Sequence, residues 1–267
     1  MKPLSQPPSN RLSDAPTAPA DDSWDLPVDS SASLSRMVRA DQLSVVFQPI
    51  VRLDVQQIHG YEALVRCNVD RYQSPVDLFA HAVSAQCAGR LGRMIREIAV
   101  PMCSGKPLFV NVHPQELRES WLVRPDDPLF AHDHDLCIEI TESVPMTHFD
   151  LCRSVLREVR ERSGASLAID DLGAAYSDLK RIVDLEPKFV KLDRELIAGI
   201  HTNVRQQKLV RRLLKLCADL GAHAVAEGVE TREEHQALLD CGMTLAQGYL
   251  YARPDFPLPR ATFPGKR

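Results

Sequence analysis

The 267-residue chain has no window approaching the roughly 18–20 consecutive apolar residues that a membrane span requires. It also lacks the short N-terminal apolar run of a secretory signal, so the cytoplasm is the expected location. A strong charge of one sign is missing too. With a formal net charge of -4 the chain as a whole does not attract anions, which argues against binding a nucleic-acid polymer and requires any phosphate ligand to be held by local cations. Its seven cysteines (Cys67, Cys87, Cys103, Cys137, Cys152, Cys217 and Cys241) are odd in number and lack CxxC spacing. They read as small buried hydrophobes in a reducing compartment, neither disulfides nor a zinc site. No glycine-rich phosphate loop of the P-loop or dinucleotide-binding type stands at a strand-to-helix turn, which weakens an open doubly wound sheet.

Residues 1–33 are Pro, Ser, Ala and Asp with few large apolar side chains, a composition expected of a disordered tail. Trp24 and Leu26 are its only bulky pair. They leave two readings open, a docking element for a protein partner or an incidental pair, and the second is preferred. Residues 34–258 read as one domain, and 259–267 as an extended, proline-bearing end. Within the domain, eight short apolar or β-branched runs (residues 44–51, 58–67, 107–112, 136–141, 166–169, 188–192, 222–226 and 244–249) are strand candidates. Most gaps after the second run carry helix-patterned stretches, clearest at 85–102, 151–162, 204–220 and 233–241. Strand and helix in alternation predict a parallel sheet, and eight strands in one domain favour closure into an α/β barrel of the (β/α)8, TIM-like class.

Strands covered on both faces should read as unbroken apolar runs. Here Glu62, Asn111, Glu139, Asp170 with Asp171, Lys191 and Glu227 interrupt or end six of them. One such residue is readily a structural hydrogen bonder, but six on six strands are harder to dismiss. They lie toward the C-terminal strand ends, where barrel active sites are built. Several carboxylates converging there would repel one another unless a cation neutralised them. Oxygen donors without a Cys or His cluster point to Mg²⁺ or Mn²⁺, and the adjacent Asp170 and Asp171 suit a two-metal site. His113, near Asn111, reads as a packing residue. The basic stripe Arg205, Lys208, Arg211, Arg212 and Lys215 reads as a solvated helix face.

Eight ordered segments carry a closer likeness: Gln48-Pro49-Ile50, Tyr61-Glu62-Ala63-Leu64-Val65-Arg66, Phe109-Val110-Asn111-Val112, Glu139-Ile140-Thr141-Glu142, Ile169-Asp170-Asp171-Leu172-Gly173, Lys191-Leu192-Asp193, Ala226-Glu227-Gly228-Val229-Glu230-Thr231 and Ala246-Gln247-Gly248-Tyr249. Over about residues 40–255 the chain resembles the EAL-domain cyclic di-GMP phosphodiesterases. The resemblance implies metal-dependent hydrolysis of cyclic di-GMP to linear 5'-pGpG, in a homodimer. It also implies that Glu62, Asn111, Glu139 and Asp170 hold one Mg²⁺ or Mn²⁺, with Asp170 and Asp171 sharing or holding a second. Lys191 and Glu227 would act through water at the metals. Gln48, Leu64 and Arg66 would contact the dinucleotide, and Gln247 would order solvent or substrate. Glu142, Asp193 and Glu230 would anchor loops.

The segment after the fifth strand departs from the family's usual pattern, which has Phe at Leu172, Gly at Ala175 and Ser at Asp178. Ala175 matters most, because glycine adopts positive φ at little cost and alanine does not. Two functions therefore stay open: a working phosphodiesterase, favoured because every direct ligand is present, and a cyclic di-GMP receptor or protein-docking module without turnover.

Overall fold

The computed structural model describes residues 30–141, 146, 148–173 and 179–265. Eight strands close into a single barrel in sequence order: β1 (Leu43–Arg52), β2 (Gln57–Cys67), β3 (Leu108–Asn111), β4 (Leu136–Thr141), β5 (Ser166–Leu172), β6 (Phe189–Leu192), β7 (His223–Ala226) and β8 (Leu245–Ala246). All eight strand candidates fall on these strands. Helices α1 (Ser30–Met37), α2 (Pro75–Ser84), α3 (Ala88–Met102), α4 (Phe149–Ser163), α5 (Lys180–Leu185), α6 (Arg194–Ile197), α7 (Val204–Asp219) and α8 (Arg232–Cys241) accompany them. The helical stretch expected at 85–102 begins three residues late, because Ala85 caps α2 and Gln86 takes a left-handed backbone (φ 53) before α3 starts. Among the described residues no helix is long and apolar enough to cross a membrane.

The sheet is not wholly parallel. β1 runs antiparallel to both β2 and β8, while β2 through β8 are parallel to their neighbours. Only residues 53–56 separate β1 from β2, enough for a hairpin and far too few for the crossover that parallel strands need.

The expected boundary between residues 33 and 34 lies inside α1, whose Leu34 and Met37 are buried against β1, β2, α2 and α3. At the other end Leu258, Ala261 and Phe263 pack onto the barrel's outer core, and the Thr262 amide donates to the Tyr251 carbonyl at 2.9 Å.

Inside the barrel Ile50, Phe109, Cys137, Ala168, Phe189, Val225 and Leu245 form a continuous apolar floor. Because successive side chains alternate faces, a step of two residues toward the C-terminal end keeps a side chain inside and raises it one layer. From Phe109 that step reaches Asn111, from Cys137 Glu139, from Ala168 Asp170, from Phe189 Lys191, from Val225 Glu227 and from Leu245 Gln247. On β2 the step runs from Gly60 to Glu62, and Gly60 leaves room for the Phe109 ring, which stands 3.0 Å from where a Cβ would sit. On the reversed strand β1 the step is backward, from Ile50 to Gln48, which pairs with Glu62. The polar layer thus rests on a sealed hydrophobic one.

Candidate active site and metal centre

Lys191 stands at the centre of this layer and is 1 % exposed. Its Nζ lies 2.8 Å from Glu227 Oε1, 3.0 Å from Asp170 Oδ1, 3.1 Å from Glu139 Oε1 and 3.3 Å from Glu62 Oε2. Burial alone would strip the proton from this amine, but the four carboxylates outweigh it and hold the ammonium form well above its usual range. The carboxyls divide. Burial pushes Glu139 and Glu227 well above the usual carboxylate range, and Asp170 up to about 6. Burial acts on Glu62 too, yet Lys191 and the amides of Gln247 and Asn111 keep its carboxyl below the ordinary value.

Those amides are well placed. Asn111 Nδ2 donates to Glu62 Oε1 at 2.9 Å and to Glu139 Oε2 at 3.3 Å. Gln247 Nε2 donates to Glu62 Oε2 at 2.7 Å and to Gln48 Oε1 at 3.0 Å, and Gln48 Nε2 donates to the Ala252 carbonyl at 3.1 Å. Asp171 takes φ +64 at the end of β5, a left-handed conformation that Asp tolerates better than most residues. Its Oδ2 accepts the Thr141 hydroxyl at 2.9 Å.

Two sets of carboxylates fit a cation. Oxygen atoms of Glu62, Glu139 and Asp170 lie within 4.8 Å of one another, as do those of Asp170, Asp171 and Glu227. Glu139 Oε1 and Asp170 Oδ1 are buried without a hydrogen bond, although Lys191 Nζ is at ion-pair distance from both. Four carboxylates around one ammonium, with Asp171 close by, outnumber the positive charge, and all the donors are hard oxygens. The donor set therefore suits Mg²⁺ or Mn²⁺. With a cation present, Asn111 would turn its amide to offer Oδ1, since an amide oxygen ligates and an NH₂ cannot.

A cavity of about 340 Å³ opens above the layer, lined by Gln48, Glu62, Leu64, Asp170, Asp171, Lys191, Glu227 and Gln247 together with Gly248 and Tyr249. Asp193 and Glu230 also line it. Asp193 caps α6 by accepting from the Glu195 amide at 2.7 Å, and Glu230 pairs with Arg194 at 2.9 Å. Gly248 is obligatory here, since a Cβ would lie 2.1 Å from the Val229 carbonyl oxygen. Arg66 stands apart. It occupies the same face of β2 as Glu62 and Leu64 but is exposed, and its guanidinium donates to the Val65 carbonyl at 2.9 Å. Glu142, Ala175 and Asp178 lie outside the described residues. His113 stacks on Phe79 at 5.7 Å between ring centroids, and its Nδ1 accepts from the Gln115 amide.

The profile of the EAL domain matches residues 31–254. The chain belongs to the EAL-domain family. Among EAL relatives, the cyclic di-GMP phosphodiesterase RocR of Pseudomonas aeruginosa is 30% identical over 249 residues, covering 84% of this chain and 60% of RocR. The Klebsiella pneumoniae protein BlrP1, solved as a manganese/cy-diGMP complex at pH 9.0, superposes with a TM-score of 0.70 at 33% identity over 82% of this chain and 57% of that one. An EAL-domain protein from Listeria monocytogenes EGD-e superposes with a TM-score of 0.71 at 26% identity, covering 84% of this chain and 93% of that chain. The chain thus spans less than two thirds of RocR and of BlrP1.

Three residues at the EAL site were given no role in the sequence reading. Thr141 and Arg194 are ordinary strand and helix residues in sequence, and only the fold brings them to Asp171 and Glu230. Tyr249, half-exposed at the cavity mouth, carries the Arg253 guanidinium 4.3 Å from its ring centroid. The hydroxyl of Thr141 inside Glu-Ile-Thr-Glu was the available signal for the first, and the aromatic after Gln247-Gly248 for the third.

Proposed function

We propose that the chain hydrolyses one phosphodiester of cyclic di-GMP to linear 5'-pGpG, using Mg²⁺ or Mn²⁺ and acting as a homodimer. The observation that carries this reading is the layer of four carboxylates around Lys191, with Asp171 beside Asp170 and Glu227, above a sealed apolar floor. Glu62, Asn111, Glu139 and Asp170 would hold one cation, and Asp170 with Asp171 a second, with Glu227 beside it. Cations held there would supply the lowered pKa of an attacking water and charge neutralisation for the phosphoryl oxygens.

The protein's own groups account for the rest. The floor from Ile50 to Leu245 keeps bulk water from reaching the carboxylates from below, which strengthens every charge interaction in the layer. Gln247, itself held by Gln48, donates to the same Glu62 oxygen that faces Lys191, and Asn111 donates to the other, so the Glu62 rotamer is set before any ligand arrives. Lys191 keeps its charge and stands within reach of both carboxylate sets, where it can orient a water or a phosphoryl oxygen. Leu64 gives the cavity an apolar wall, and Arg66, two residues further along the same strand face, would have to swing from the Val65 carbonyl to grip a phosphate oxygen pair. No serine or cysteine is required as a nucleophile.

Incubating purified protein with cyclic di-GMP and Mg²⁺ or Mn²⁺, then resolving the products by chromatography, tests the reading. Cation-dependent pGpG is expected, and none in EDTA. Tight binding without product after long incubation in Mn²⁺ would favour the second reading, a receptor, which rests on Ala175 and Asp178 in the segment after Asp171.

A further inference from the structure

Asp171 alone among the site carboxylates has a positive φ. The β5–β6 ladder shifts register between Ile169 and Leu172, and Asp171 sits in that break with φ +64. Regular pleating therefore does not aim its side chain. The Thr141 hydroxyl does, donating to Asp171 Oδ2 at 2.9 Å while an oxygen of Asp171 lies within 4.8 Å of oxygens from Asp170 and Glu227.

Thr141 is itself held firmly. It is the last residue of β4, in register with Asp170, and its carbonyl accepts from Arg181 Nη1 at 3.1 Å. Arg181 is buried on α5, across residues 174–178 from Asp171. A β-branched side chain at a strand end has few rotamers, so a backbone fixed from two sides fixes the hydroxyl.

We infer that Thr141 is a positioning residue for the second cation, its hydroxyl setting the Asp171 carboxylate in the orientation that ligation beside Asp170 and Glu227 requires. The inference rests on the two-cation reading of the site. A partner that orients a ligating carboxylate typically contributes about 10–100-fold to metal affinity.

The test counts Mn²⁺ by calorimetry and by the electron paramagnetic resonance of free Mn²⁺, on the full chain. Wild type is expected to bind two ions. Thr141→Val, which keeps the shape and loses the hydroxyl, should bind the first as wild type does and the second about tenfold or more weakly. Thr141→Ser should restore the second. In turnover assays the Val variant should regain activity as Mn²⁺ is raised, a shift that a merely structural role would not produce. Thr141→Ala serves the same comparison should the Val variant not fold. Two ions bound by the hydroxyl-free variant at wild-type affinity would overturn the inference, as would equal weakening of both ions with a lowered melting temperature. Wild type binding fewer than two ions would instead overturn the two-cation reading on which it rests.

Discussion

Replacing Lys191 with Met is the most informative single perturbation of the metal-free protein. The substitution conserves volume but removes the one ammonium among Glu62, Glu139, Asp170 and Glu227, all within 3.3 Å of its Nζ. At an effective dielectric constant near 20, each contact at this range is worth about 5 kcal/mol before desolvation. Much of that attraction offsets the burial of the charges, and removing one partner of a buried ion pair costs about 3–5 kcal/mol. For a domain of this size that corresponds to a fall in Tm of roughly 6–20 °C. Protonation limits the loss, because Glu139 and Glu227 already bind protons more readily than ordinary carboxyls and without Lys191 would do so more readily still. Carboxyls with a raised folded-state pKa lose stability as pH rises, so the deficit should be larger at pH 8 than at pH 6. Circular-dichroism melts in EDTA at both values measure it. A deficit under about 1 kcal/mol at pH 8, or one identical at the two pH values, would refute the picture of Lys191 as the cluster's internal counter-ion.

Three further outcomes are expected. Glu62→Gln should abolish cation-dependent hydrolysis while leaving the circular-dichroism spectrum unchanged, since Glu62 supports the site and not the floor; pGpG at the wild-type rate would remove it from the metal centre. Asp170 carries a carboxyl raised from 3.8 to about 6, so in EDTA its charge should cost the fold nothing below pH 3.8 and up to about 3 kcal/mol above pH 6. Asp170→Asn should accordingly be more stable than wild type in urea titrations at pH 7 and no more stable near pH 4. Gly248→Ala forces a Cβ to within 2.1 Å of the Val229 carbonyl oxygen and should lower Tm by many degrees; a melt within a degree or two of wild type would show that β8 is free to shift there.

Much of this site was legible because each strand writes it twice. Phe109-Val110-Asn111, Cys137-Ile138-Glu139, Phe189-Val190-Lys191 and Leu245-Ala246-Gln247 all place an apolar residue two positions before a polar one, the signature of an apolar layer under a chemical layer on the inside of a barrel. The parallel sheet read from the alternation holds for β2 to β8, whereas the reversed β1 went unread, although the four-residue link after Arg52 is too short for a crossover. What escaped is what alternation cannot encode. Arg96, Glu116 and Asp127 are at most 2 % exposed and form two salt bridges, 2.7 and 2.8 Å long, between α3 and the segment beyond β3. In sequence they read as ordinary surface charges, because nothing local marks a charge whose partner is 20 or 31 residues away. The Glu116 carboxylate also accepts the His113 amide at 2.9 Å and fills the space over Gly92, so this buried triad braces the chain two residues beyond Asn111. Thr141 and Asp171 illustrate the same limit inside the site. The ladder predicts where β4 and β5 lie side by side, but the turn to φ +64 that brings Asp171 under the Thr141 hydroxyl breaks the alternation itself, and a pattern cannot foretell its own interruption.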